Sequence, residues 1–91
     1  MTMNAEWIAI DGEHVVPGLQ AVRETLDTAP GDVVLDFSSV RRIDPSALRA
    51  MDELAGLANG KAVKVVLRGV NVDIYKVLKL VKLTSRFSFL A

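Results

Sequence analysis

Ninety-one residues, half of them apolar and none of them cysteine, make a chain that must draw its stability from one small hydrophobic core, without disulfides or thiolate–metal ties. That composition also removes thiol nucleophiles, leaves a single histidine, His14, that cannot make a metal site by itself, and contains no apolar run near the roughly 20 residues that span a bilayer. The formal net charge is zero, yet residues 1–40 hold seven acids against Arg23 alone, whereas the remainder holds ten bases and four acids. The second half therefore carries the positive surface.

Glu6-Trp7-Ile8-Ala9-Ile10 alternates weakly and stops at Asp11-Gly12, which reads as a short strand and a turn. Val15, Leu19, Val22 and Leu26 recur at three- and four-residue steps, predicting a helix entered near Pro17 and ended by Pro30-Gly31. Asp32 to Phe37 is a valine-rich run of the kind found in strands covered on both faces. Leu48, Met51, Leu54 with Ala55, and Ala58 mark a second helix that closes at Asn59-Gly60, residues suited to a left-handed end. Val63 to Leu67 reads as another strand, and Gly69-Val70-Asn71 as a turn with Asn71 or Asp73 available to cap a third helix. In that helix Ile74, Val77 or Leu78, and Val81 are expected to face the core, with Lys76, Lys79, Lys82 and Arg86 along the outer side. Phe87 to Leu90 completes the pattern as a last short strand.

Strands alternating with helices predict an α/β fold. The expectation is one domain over residues 1–91, a four- to five-stranded mixed but mostly parallel sheet covered by three to four helices. Binding surfaces of open α/β sheets lie beyond the carboxyl ends of the strands, where Arg41 to Ser46 falls.

Catalytic chemistry is sparse. No glycine-rich phosphate loop joins a strand to a helix, and no nucleophile-elbow pattern surrounds Ser38, Ser39, Ser46, Ser85 or Ser88. Asp36 and Asp44 are the remaining candidates for paired carboxylates, and both also suit turn and cap positions. The chain is accordingly expected to be no enzyme and to need no cofactor or metal. Nucleic acid is not an expected partner either, because no aromatic platform accompanies the bases and there is no overall positive charge. Met1 to Glu6 lacks a basic start and an apolar leader core, so a cytoplasmic location without a transmembrane segment is expected.

The stretch Asp44-Pro45-Ser46-Ala47 has a purely structural explanation. Asp44 suits an N-cap worth on the order of 1 kcal/mol, Pro45 the first helical position, and Ser46 the second. Its neighbours add more. A strand ending VVLDFSSV, an arginine pair, IDPSAL, an amphipathic helix, KVVLRGV, NVDIYKVLKLVKL and a final FSFL together resemble the STAS domain family, the group that includes bacterial anti-sigma factor antagonists. The likeness runs over roughly residues 6–90, although many members begin with two strands and only one is legible here.

The resemblance implies a STAS-like sandwich and a bacterial regulatory module that binds a partner protein, an anti-sigma factor or kinase-like protein, through the start of the second helix. Arg41, Arg42, Asp44, Pro45, Ser46, Ala47 and Arg49 are the residues it assigns to that surface. In antagonists of the family the residue after the aspartate is usually a serine or threonine that the partner kinase phosphorylates; here Pro45 stands there, and Ala47 where glycine is common. Ser46 is the nearest hydroxyl, and efficient phosphorylation of it is not expected. The segment GVNVDIYKVLKL is also similar to a branch that sits, unphosphorylated, on the ATPase subunit of a lipid-handling ABC transporter. Finally, the apolar C-terminal segment either completes the sheet or pairs with the edge of a second copy, so a homodimer stays open.

Overall fold

Apolar residues spaced for strands and helices in turn leave the chain one economical solution, three βα units and a closing strand. The computed structural model describes residues 5–28 and 31–90. Strand β1 (Ala5–Ala9) leads to α1 (Val15–Thr28), β2 (Asp32–Asp36) to α2 (Pro45–Gly60), and β3 (Val65–Arg68) to α3 (Val72–Leu80). A 3₁₀ turn (Thr84–Arg86) then delivers β4 (Ser88–Leu90). The strands lie side by side in chain order, and all three pairings are parallel, so the mixed pairing considered from the sequence does not occur among the described residues.

Each crossover steps one place in the same direction, and right-handed connections of that kind lay all the helices on one face. The burial pattern agrees. Val33, Leu35, Val65 and Leu67 join Leu19, Val22 and Leu26 of α1, Met51, Leu54, Ala55 and Ala58 of α2, and Ile74 and Leu78 of α3 in one core. Val34 and Val66, also buried, alternate to the other face beside Trp7, over whose ring the Arg68 guanidinium lies 5.8 Å from the centroid. The expectation that the valine run is buried on both sides therefore holds.

Several boundaries move for identifiable reasons. Helix α1 begins at Val15, two residues before Pro17, which is tolerated because the first-turn amides have no helical partner to lose. Its last described residue is Thr28, and Pro30, expected to end it, lies outside the described residues. Val81 does not face the core: it caps α3 and stays 46% exposed, while Leu83 takes the buried position.

Helix α2 does not end at Asn59-Gly60 in a left-handed residue. Gly60 is still helical, and the left-handed position falls on Ala62, at φ 56°. The Val63 amide donates to the Ala58 carbonyl at 2.9 Å and the Ala62 amide to Asn59 at 3.2 Å, the paired bonds of a Schellman motif. Helix α3 ends the same way, with Lys82 at φ 63° and Leu83 donating to Leu78 at 2.8 Å. Both left-handed positions thus carry a Cβ that glycine would not. Replacing Ala62 by glycine is expected to raise stability by about 0.5–1 kcal/mol, read as an increased urea midpoint with unchanged slope.

Candidate site at the strand tips

The loop from β2 to α2 is held from both sides, and that clamp sets the shape of the rim. On one side Gly12, in the β1–α1 turn, lies so close to Ser39 that a Cβ there would strike the Ser39 carbonyl oxygen and approach its carbon to 2.9 Å. The Ser39 hydroxyl returns the contact by donating to the Ile10 carbonyl at 2.8 Å. On the other side Gly69, at φ 74°, backs onto Ser38, whose amide nitrogen would stand 3.0 Å from a Cβ. Beneath the loop, Phe37 and Val40 are buried and anchor it to the core.

Asn71 completes the clamp. Its side-chain oxygen caps α3 by accepting from the Ile74 amide at 2.8 Å, and its Nδ2 donates to the carbonyls of Val40 at 3.3 Å and Arg41 at 3.2 Å. One amide side chain therefore fixes the start of a helix and the backbone of the arginine pair. Sequence spacing named Asn71 as a cap candidate but gave no hint of the second role, which depends on two segments some 30 residues apart.

Asp44 is the N-cap of α2: its backbone is extended and its carboxylate accepts from the Ala47 amide at 2.7 Å. Pro45 follows in the first turn, where a missing donor costs nothing. Pro45 and Ser46 are exposed at the tip, as expected, but Ala47 is not: it is 1% exposed and packs inward, since the third residue of α2 already turns toward the core. Ala47 therefore offers almost no surface to a partner.

Asp36 and Asp44 do not act as a matched pair of carboxylates. Asp44 is engaged as the cap, while Asp36 accepts from the Ser38 amide at 2.9 Å and faces its cross-strand neighbour Arg68 at 3.6 Å. The Ser38 amide above all, then the Ser38 side chain and the Arg68 charge, hold the Asp36 carboxyl below its ordinary 3.8. His14 is likewise tied locally, with Nδ1 3.1 Å from the exposed Asp11 carboxylate. Backbone and side-chain hydrogen bonds from Glu13 and His14 lower that carboxyl in turn.

The basic residues are arranged differently. The ion pairs among the described residues use His14, Lys61, Arg68 and Arg86, so Arg41, Arg42 and Arg49 stand outside them, all exposed. Arg42 is the hub of the rim. It borders a cleft of about 570 Å³ shared with His14, Val16, Pro17 and Asp44, between the starts of α1 and α2. It also borders a depression of about 260 Å³ shared with Arg41, Ile43, Asp73 and Val77, between the loop and α3. Arg49 lies apart, one turn along α2, beside Leu48, Asp52, Val81 and Leu83. Asp73 and Val77 were not among the expected contact residues, because helical spacing alone does not show which loop a helix flank meets.

Comparison with known proteins places this architecture. The family described as Mlab, STAS domain matches residues 5–88, and the chain belongs to that family. The NMR structure of the protein TM1081 superposes with a TM-score of 0.79 at 15% identity, over 99% of this chain and 76% of that one. The crystal structure of TM1081 from Thermotoga maritima, a candidate anti-sigma factor antagonist, gives a TM-score of 0.66 at 17% identity, over 98% of this chain and 74% of that one. At such identities the likeness is one of fold. Among curated proteins, none matches. No helix among the described residues is long and apolar enough to cross a membrane.

Proposed function

We propose that the chain is a non-catalytic regulatory module that binds a partner protein through the rim formed by Arg41, Arg42, Asp44, Pro45 and Ser46. The observation that carries this reading is the position of Arg42, exposed, outside any ion pair among the described residues, and bordering depressions on both sides of a backbone fixed by Gly12 and Asn71. A rigid loop presents its guanidinium without first being ordered, which lowers the entropy cost of binding, and arginine is the cation best suited to meet a partner's carboxylates. Membership of the STAS family and the fold shared with a candidate anti-sigma factor antagonist support a kinase-type anti-sigma factor as that partner.

Arg42→Glu is expected to weaken binding of such a partner at least tenfold by titration calorimetry, about 1.4 kcal/mol, whereas Arg23→Glu on α1, with the same change of net charge, leaves it within about twofold. Equal losses from the two variants would assign the effect to net charge and refute the rim.

A second reading is favoured by Pro45. The residue after the cap aspartate has no hydroxyl, and a phosphate on Ser46 would sit beside the Asp44 carboxylate, offsetting the benefit of the helix N-terminus. A rim not switched by phosphate suits an accessory subunit of a lipid-handling ABC transporter. Co-purification with a transporter ATPase, and not with an anti-sigma kinase, from the native host would select this reading.

A further inference from the structure

The exposed bases of the rim and those of α3 form different groups. Arg41 and Arg42 stand on the rim, whereas Lys76 and Lys79 on α3 and Lys82 just beyond it form a separate exposed group. Arg86, which the spacing added to that row, instead turns to Asp52 at 2.9 Å. Asp73 is the one acid from residue 72 to residue 82.

Aliphatic side chains protrude among these lysines. Leu80 is 82% exposed and Val72 68% exposed, more than any other large apolar residue described. Ile74 and Leu78 point into the core, so at about 100° per residue Val72, Lys76, Lys79 and Leu80 share the opposite side of α3. Val72 and Leu80 are about 12 Å apart along that ridge, at ~1.5 Å per residue.

We propose that this side of α3 is a contact surface for an anionic lipid bilayer. Lysine stems lie along apolar surface while their ammonium groups reach anionic headgroups, and protruding aliphatic tips enter the boundary between headgroups and acyl chains. A protein partner is the poorer match: interface centres are enriched in arginine and aromatic residues and depleted in lysine, whereas this side of α3 presents lysines and aliphatics. Tyr75 at its edge is already engaged edge-on with Phe89, so the ridge lacks the anchors a complementary protein pocket receives. A bilayer needs no such complementarity. The ridge adjoins the depression below Arg42: Val77 is about a quarter turn of α3 away, and Asp73, which borders the same depression, lies only ~20° from Leu80 around the helix. The inference does not depend on the identity of the rim's partner.

The test is sedimentation of the full chain with vesicles of phosphatidylcholine alone or phosphatidylcholine mixed with phosphatidylglycerol. Binding is expected only to the anionic vesicles and is expected to fall steeply as salt is added. Each lysine near the surface is worth about fivefold, so replacing Lys76, Lys79 and Lys82 together by glutamine is expected to lower partitioning on the order of a hundredfold. Leu80→Ser, which leaves charge unchanged, is expected to lower it several-fold, with circular dichroism showing both variants folded. Failure of the wild type to bind anionic vesicles at low salt would overturn the proposal. So would a Leu80→Ser variant that binds like wild type, together with equal binding to soluble polyglutamate, which would assign the lysines to an acidic protein.

Discussion

Gly12→Ala is expected to destabilise the fold by about 3 kcal/mol or more, the upper end of what forced overpacking costs. A Cβ at this position meets backbone, the Ser39 carbonyl and the Val40 Cα at 3.4 Å, so no side-chain rotation relieves it. Either the β1–α1 turn or the β2–α2 loop must move. Moving the loop breaks the Ser39 bond to Ile10 and draws buried Val40 out of the core, which removes the support of Arg41 and Arg42 as well. Urea unfolding should show a markedly lower midpoint, and partner affinity should fall with it. Gly60→Ala is the control: a Cβ there has nothing within 4 Å, and alanine is the better helix former, so stability should hold or rise by about 0.5–1 kcal/mol. A Gly12→Ala protein as stable as wild type would mean that the two loops are not locked together.

Much of this architecture is legible in the sequence because it depends on local periodicity. Leu19, Val22 and Leu26, then Met51, Leu54 and Ala58, recur at helical steps and are all buried, and the Asp44 cap could be read from its place before Pro45. What local reading misses depends on approach between distant segments. Asp11-Gly12 looks like any turn, and nothing near it reveals that Ser39 will lie against its backbone. Ala47, small and next to two tip residues, reads as surface until the direction of α2 is known. The helix ends fail for another reason: Ala62 and Lys82 occupy left-handed positions that intrinsic preference gives to glycine, because the core contacts of Val63 and Leu83 decide where each chain must turn. The rim residues themselves were legible chiefly through resemblance, since an exposed arginine pair beside a capped helix is compatible with many surfaces.

Asn71 separates two functions that one substitution can pull apart. In Asn71→Asp the new carboxylate still accepts from the Ile74 amide, and its charge suits the N-terminus of α3, so the helix should persist. The atom replacing Nδ2, however, would be an oxygen facing the carbonyls of Val40 and Arg41. Two hydrogen bonds are lost and three acceptors converge, at an expected cost of about 2–3 kcal/mol. The pH dependence identifies the cause. The expected sign rests on the two facing carbonyls outweighing the Ile74 amide and the α3 N-terminus, which favour the carboxylate. The pKa in the folded state then rises above its unfolded value of about 3.9, and the protonated form can donate to one of the carbonyls. A raised folded-state pKa means stability that is present at low pH and lost as pH rises through it. The deficit relative to wild type should therefore narrow as pH falls toward 4 and widen at neutrality. Asn71→Ser, which keeps a capping oxygen without the charge, should lose less and show no such pH dependence. If the deficit of Asn71→Asp were the same at both ends of that range, the side-chain amide would not be what holds the arginine loop to α3.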